Sequence, residues 1–223
     1  HNRCRRQRQM CIRDRAGRKL ASYIQKHSER YFTSKQAATD LAIQEMGISF
    51  TIYSEGENID RSWPMDIIPR IIPRNEWQRL EKGLIQRLTA LNLFINDIYN
   101  DQKIIKDKVF PAELITSSKD FLRPCVGIKP YKGIWANVCG SDLIRDHNGT
   151  VYVLEDNLRV PSGVSYMLEN RAVTKRVLPQ LFANHSILPV DDYPSQLFDM
   201  LAAISPRSSE QPPAFLPSEK EQA

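Results

Sequence analysis

Three oxygen-bearing side chains, Asp142, Glu155 and Asn157, are brought together by the turn chemistry of residues 141–163, SDLIRDHNGTVYVLEDNLRVPSG. Asn148-Gly149 between two apolar-rich runs predicts a hairpin with a two-residue turn and positive φ at both central positions. Counting outward from that turn pairs Thr150 with His147, Val151 with Asp146 and, further out, Glu155 with Asp142. Side chains alternate along a strand, so Asn157 falls on the face of Glu155 and Asp142, and Asp156 on the other. Carboxylates directly opposite have Cβ atoms about 5 Å apart and repel. An all-oxygen donor set of two carboxylates and an amide suits Mg²⁺ or Mn²⁺ rather than zinc, and leaves room for waters and substrate phosphates. The competing reading is a solvated hairpin edge whose charges are screened by salt and neighbouring Lys or Arg.

The residues beyond the hairpin fit phosphate handling. Arg159 continues the direction of Glu155 and Asn157 if the chain stays extended, and its guanidinium could hold a phosphoryl or carboxylate oxygen bidentately. Pairing with Asp156 is the plainer alternative. Ser162-Gly163 open a helix whose free amides form an anion site. Cation, guanidinium and helix entrance would then converge on one small volume, as phosphoryl transfer requires. The histidines show no metal or base pairing, and serine or cysteine nucleophile arrangements have no support.

The elements that must position these residues are read from pattern. Residues 16–46 predict a helical stretch packing loosely on the body, and 48–53 (ISFTIY) a strand. Next comes a long connection punctuated by Pro64, Pro69 and Pro73; connections of that length usually cover a site. Trp77, Leu80, Leu84, Leu88, Leu91, Ile95 and Ile98 form one apolar stripe, predicting a core-packing helix over 76–99 that starts with a capping box at Asn75 and Gln78. Short helical turns over 101–125, a strand at 134–138, the hairpin, and a helix over 164–183 complete the body.

The chain has 223 residues and a net charge of +5, but the first 30 residues hold ten Lys/Arg against two Asp/Glu, leaving −3 on the rest. The basic character belongs to residues 1–15, a non-native-looking or disordered segment, so the folded body carries no nucleic-acid signature; as a genuine arm, the segment could bind RNA or acidic partners. No apolar run reaches the ~20 residues of a membrane span, and no apolar leader stands out, so a cytoplasmic location is expected. Cys125 and Cys139 in the body lack metal-site spacing. Residues 206–223, rich in Pro, Ser and charge, are expected to be disordered.

The pair of motifs Asp142 and Glu155-Asp156-Asn157 resembles the metal-binding edge of the ATP-grasp fold. VYVLEDNLRVPSGVSYMLENR, FTIYSEGENIDRSWPMDIIPRIIPRNEW and LNLFINDIYNDQ are similar to the circularly permuted ATP-grasp type 2 family, over roughly residues 45–206. The resemblance implies an α+β, circularly permuted ATP-grasp-like domain over 16–205, built of an antiparallel hairpin with flanking helices, and incomplete. It implies an ATP- and Mg²⁺-dependent carboxylate–amine ligase acting on small-molecule or peptide carboxylates and amines. ATP would phosphorylate the carboxylate, and the amine would displace the phosphate to give an amide. In that reading Asp142, Glu155 and Asn157 hold the metal, Arg159 is catalytic, and Arg159, Ser162 and Gly163 bind the nucleotide phosphates. Arg61 and Arg70 match family positions and would bind an acidic substrate; an ion-pair network with Asp66 bracing the loop is the alternative. Lysines that clamp ATP come later in such proteins, so this chain is expected to be a fragment that is inactive alone. The alternatives are a non-catalytic binding or scaffold protein with the same fold, and another Mg²⁺-dependent phosphoryl-transfer enzyme.

Overall fold

The computed structural model of the chain describes residues 15–54, 57–159, 161, 163–183 and 185–205. The basic N-terminal segment up to residue 14, Ser162 and the 206–223 tail lie outside the described residues. Among the described residues the fold mixes helices with two separate two-stranded antiparallel sheets, β1 (Ser49–Ser54) with β2 (Glu57–Ser62) and β3 (Gly140–Arg145) with β4 (Val151–Asn157). The helices, in chain order, are α1 (Arg15–Gln25), α2 (Glu29–Glu45), α3 (Arg74–Tyr99), α4 (Lys103–Lys106), α5 (Ala112–Thr116), α6 (Val164–Val177), α7 (Pro179–Ala183) and α8 (Tyr193–Ile204). Two compact units are present, one of residues up to Arg87 plus Val138–Leu188, the other of Leu88–Asn137 plus the chain from Pro189.

The first unit is organised around an apolar core. Leu20 of α1, Ala42 and Ile43 of α2, Ile67, Val173 and Val177 of α6, and Leu178 and Leu181 form one buried cluster. The sequence reading of residues 16–46 as a loosely packed helical stretch is therefore corrected: it is two helices, and it supplies three of the buried core positions. The break comes where Ser28 turns extended and accepts the Tyr31 amide, capping α2. At the other end Gly47, at φ +65°, closes α2: its amide bonds Gln44 O and that of Ile48 bonds Ile43 O. Only a residue tolerant of the left-handed region allows this closure, and it delivers Ile48 onto the core.

Four further expectations change. Part of the proline-punctuated connection is strand β2, which pairs with β1 in the register Phe50↔Arg61 and Ser49↔Ser62. Residues 134–138 form no strand. The helix expected over 164–183 is two helices, because Pro179 has no amide to continue the ladder and Leu178 leaves helical geometry (φ −126°, ψ 56°). Helix α3 begins at Arg74, which puts Asn75 inside it rather than at the cap; Pro73 O accepts the Trp77 amide instead. Its stripe residues from Leu80 to Ile98 are half-buried while Trp77 is exposed, and Tyr99, beside the stripe, is the buried residue of the helix.

In the second unit, Tyr99 is stacked between Phe121 and Trp135 at 4.8 and 4.9 Å between ring centroids. Asn92 and Asn96, one turn apart on α3, accept the Trp135 and Ala136 amides and the Trp135 indole N–H. This ties the 128–136 loop to the helix, over a cavity of about 410 Å³ lined by Asn96, Asn100, Asp101 and Lys129.

An aromatic group joins α1 to α2. The Tyr23 and Tyr31 hydroxyls hydrogen-bond at 2.8 Å, and His27 lies between their rings at 4.4 and 4.3 Å. Burial, then the hydrogen bond and proximity of Tyr31, push the Tyr23 hydroxyl up to about 12. A tyrosine held protonated in the fold contributes stability that is complete below its unfolded value of about 10 and lost as pH rises through the folded one. Chemical denaturation at rising pH is therefore expected to show stability falling between about pH 10 and 12 in the wild type, with the fall reduced in Tyr23→Phe.

Candidate functional site: an acid-bearing hairpin on a helix

The β3–β4 hairpin places Asp142 directly opposite Glu155, and Gly140 opposite Asn157. That pairing agrees with the sequence count, but the path to it does not. Next to the turn, Arg145 faces Val151, not Tyr152, and Asn148 has no positive φ; only Gly149 does, at +91°. The loop is a three-residue turn, because the Asp146 carboxylate accepts the amides of Asn148 and Thr150 at 2.8 and 2.9 Å while Gly149 N–H bonds Asp146 O. An aspartate with that local bonding favours a type I turn followed by a left-handed glycine. The resulting offset is cancelled further along. Leu143 pairs with Val153 and Asp142 with Glu155, which leaves Leu154 as an extra, bulged residue.

The bulge sets which side chains face which way. Val151, Val153 and Asp156 are half-buried on one face; Leu154 and Glu155 are consecutive exposed residues, followed by exposed Asn157. Asp142 is exposed as well, and Asn157 Nδ2 lies 3.4 Å from Glu155 Oε1. Neither Asp142 nor Glu155 forms an ion pair among the described residues.

Asp156 behaves differently. Its side chain is only 8% exposed and takes Arg87 Nε at 2.7 Å on one oxygen and Ser141 Oγ at 2.7 Å on the other. Burial alone would raise its carboxyl, but the hydrogen bonds from Ser141 and Arg87 and the charge of Arg87 outweigh it, and the net direction is down. At the turn end, Arg145 pairs with Glu76, whose side chains are 22% and 15% exposed. Glu76 and Arg87 stand eleven residues apart on α3, about 16 Å along its axis, and their partners are separated by about 13 Å of strand. The hairpin thus runs beside the helix, with β3 antiparallel to it.

Glu76 and Arg87 were not singled out from the sequence. The signal was available, since Glu76, Leu80, Leu84, Arg87 and Leu91 recur at steps of three and four. Charges sitting in an apolar stripe need partners, and these find the hairpin.

The segment after β4 does not stay extended: the strand ends at Asn157 and the chain bends at Arg159. Arg159 is exposed, and Asp156 is already taken by Arg87, so the simple Arg159–Asp156 pair is not formed. The bend carries Pro161 back over β3. A Cβ on Gly140 would stand 2.9 Å from Pro161 Cβ and 3.1 Å from its Cγ. Gly163 comes two residues later, at most about 7.6 Å in Cα distance from Pro161, and caps α6 without a side-chain hydrogen bond. The helix entrance therefore lies at the Gly140–Asn157 end of the hairpin.

Arg61, on β2, and Arg70, in the connection, are exposed and form no ion pair among the described residues; Asp66 instead accepts the Ile68 amide at 2.8 Å. The structure brings neither arginine into contact with the hairpin acids. Asn170 accepts the Trp63 indole N–H at 2.9 Å, and Trp63 stacks on Tyr166 at 4.2 Å, while Arg171 donates to Leu188 O. Lys129 and Lys132 belong to the second unit. Burial, then the charge of Asp156, pushes the Cys139 thiol up, opposite to the need of a nucleophile.

Known proteins share this hairpin region. A family model described as circularly permuted ATP-grasp type 2 matches residues 69–219, which contain the whole hairpin and Arg70 but not Arg61. The chain belongs to the circularly permuted ATP-grasp type 2 family. It is similar to an uncharacterised protein of Synechocystis sp., 46% identical over 84% of this chain and 39% of that protein. An uncharacterised protein of Mycobacterium tuberculosis is 49% identical over 72% of the chain and 28% of its own length. A protein of Frankia casuarinae, provisionally named glutamate–cysteine ligase 2-2, is 36% identical over 76% and 19%. The chain thus spans from under a fifth to about two-fifths of the length of these relatives. Among the described residues no helix is long and apolar enough to cross a membrane.

Gly140→Ala tests the packing at the hairpin's open end. The added methyl must displace Pro161, so the variant is expected to lose about 1–3 kcal/mol in urea denaturation.

Proposed function

We propose that this chain carries the metal-holding part of an ATP- and Mg²⁺-dependent carboxylate–amine ligase. The observation that supports the reading most is the opposed pair Asp142 and Glu155, exposed and without an ion pair among the described residues. The donor set fits a hard divalent cation: two carboxylates and one amide, all oxygen, open to solvent on one side. A half-turn of the Asn157 amide would aim its oxygen at the same volume as Glu155 Oε1.

In this reading Asp142, Glu155 and Asn157 would hold Mg²⁺, or Mn²⁺ in its place, whose charge would neutralise the phosphates of ATP. Arg159, exposed at the bend just beyond, would bind the phosphoryl group in transfer through its planar guanidinium. Gly163, the N-cap of α6, and the adjoining Ser162 would bind the same anion at the helix entrance. Arg61 and Arg70 would attract the acidic substrate. The substrates would be a small-molecule or peptide carboxylate and an amine, with the reaction proceeding by phosphorylation of the carboxylate and displacement of phosphate by the amine. The name of the Frankia relative is in keeping with that chemistry. The chain itself, at a fraction of its relatives' length, would supply the cation and anion sites and not the whole reaction centre. Cytoplasmic placement goes with this nucleotide-dependent reading.

The test uses a polypeptide that carries this chain at the length of its relatives. Mg²⁺-dependent ADP release in mixtures of carboxylates and amines is the expected result, with kcat/KM at least about 100-fold lower in Glu155→Gln. Nucleotide binding with no turnover in any mixture would instead make it a binding module.

A further inference from the structure

The hairpin is tied to α3 at two places, and the two ties are out of step by one residue. On the turn side, Arg145 holds Glu76 and faces Val151. On the far side, Asp156 is held by Arg87 and by Ser141, which it faces. If the turn-side register ran on regularly, Asp142 would face Leu154, Ser141 would face Glu155, and Gly140 would face Asp156. Glu155 and Asn157 would then share the half-buried face of Val151 and Val153, and Asp156 would point outward, because a slip of one residue inverts every side chain. The bulge at Leu154 prevents this, yet a bulge interrupts the ladder and needs something to hold it in place.

Ser141 by itself does not choose between the registers, since it would meet a carboxylate in either. Reach does. Both oxygens of Asp156 are engaged at 2.7 Å, one by Ser141 on the neighbouring strand and one by Arg87 on the helix. Glu155 in the same place would carry its carboxylate one methylene further out, past the point where both donors meet it. We infer that Arg87 is a positioning residue: with Ser141 it measures the length of Asp156, selects the bulged register, and so presents Glu155 and Asn157 on the side of Asp142. The consequence for cation binding rests on the function proposed above; the consequence for register does not.

The whole chain is used for the test, with two readouts. Backbone NOEs between Asp142 and its cross-strand neighbour report register, and Mn²⁺ titration followed by electron paramagnetic resonance reports the site. Arg87→Met is expected to replace Asp142–Glu155 contacts by Asp142–Leu154 contacts and to weaken Mn²⁺ about tenfold. Deleting Leu154 removes the mismatch, because Glu155 then faces Asp142 in a regular ladder. In that background Arg87→Met is expected to leave both readouts within about twofold, a rescue that a merely stabilising arginine would not give. Asp156→Glu, which keeps the charge and changes only the reach, should shift the register as Arg87→Met does, and it decides the matter if the methionine variant does not fold. Asp142–Glu155 contacts that persist in Arg87→Met or in Asp156→Glu overturn the proposal. A wild-type chain that binds no Mn²⁺ while its register responds as described overturns the metal reading alone.

Discussion

The local structure around the acids depends on one constraint, a one-residue mismatch along the β3–β4 hairpin that must be absorbed between two ion pairs. At one end the Asp146 carboxylate organises a three-residue turn and Arg145 is fixed to Glu76. At the other, Asp156 is fixed between Ser141 and Arg87. An isolated two-stranded sheet is marginally stable, so these side chains, more than the ladder, decide where the hairpin sits and which residue is left over. Leu154 is that residue, 65% exposed, where its lack of a partner does least harm.

The polarity of β4 makes sense only with the bulge. A regular strand over VYVLEDN would put Val151 and Val153 on one face with Glu155 and Asn157, mixing the apolar and acidic sets. With the bulge, the two valines and the well-partnered Asp156 point one way, and Glu155 and Asn157 the other. The carboxylate that turns inward is the one that finds an arginine and a hydroxyl. Those that turn outward meet across the strands with no counter-charge among the described residues, an arrangement that is repulsive unless a cation is shared. Asp156 therefore contributes to the site by what it declines to do.

The sequence was a good guide to the hairpin, the long amphipathic helix and the family, and a poorer guide to how they are joined. The Asp142–Glu155 pairing was legible, although by two departures that cancel: a turn one residue longer than Asn148-Gly149 predicts, and a bulge that restores the count. Neither is visible in propensity, because the first depends on the local bonding of Asp146 and the second on Arg87, 69 residues away. In residues 16–46 the first helix is clearly amphipathic and the second only weakly so; burial of Ile43 and Leu20 is settled by α6 and α7, far along the chain. Strand β2 was missed for a related reason. ENIDRS is polar, so its partner β1, rather than its own composition, makes it a strand.

The junction after β4 shows how little separates a generic acidic hairpin from a site that could handle phosphate. If the chain continued straight, Arg159 and the α6 entrance would recede from the acids at more than 3 Å per residue. The bend at Arg159 and the packing of Pro161 on Gly140 reverse that, and the reversal requires a residue without Cβ at position 140. Gly140 faces Asn157, so the same contact that folds the chain back also marks the end of the triad. Asp142 and Glu155 supply carboxylate oxygens and Asn157 an amide, and the bend beside them supplies a guanidinium and a helix N-terminus. A cation bound on the first set and an anion on the second would attract one another.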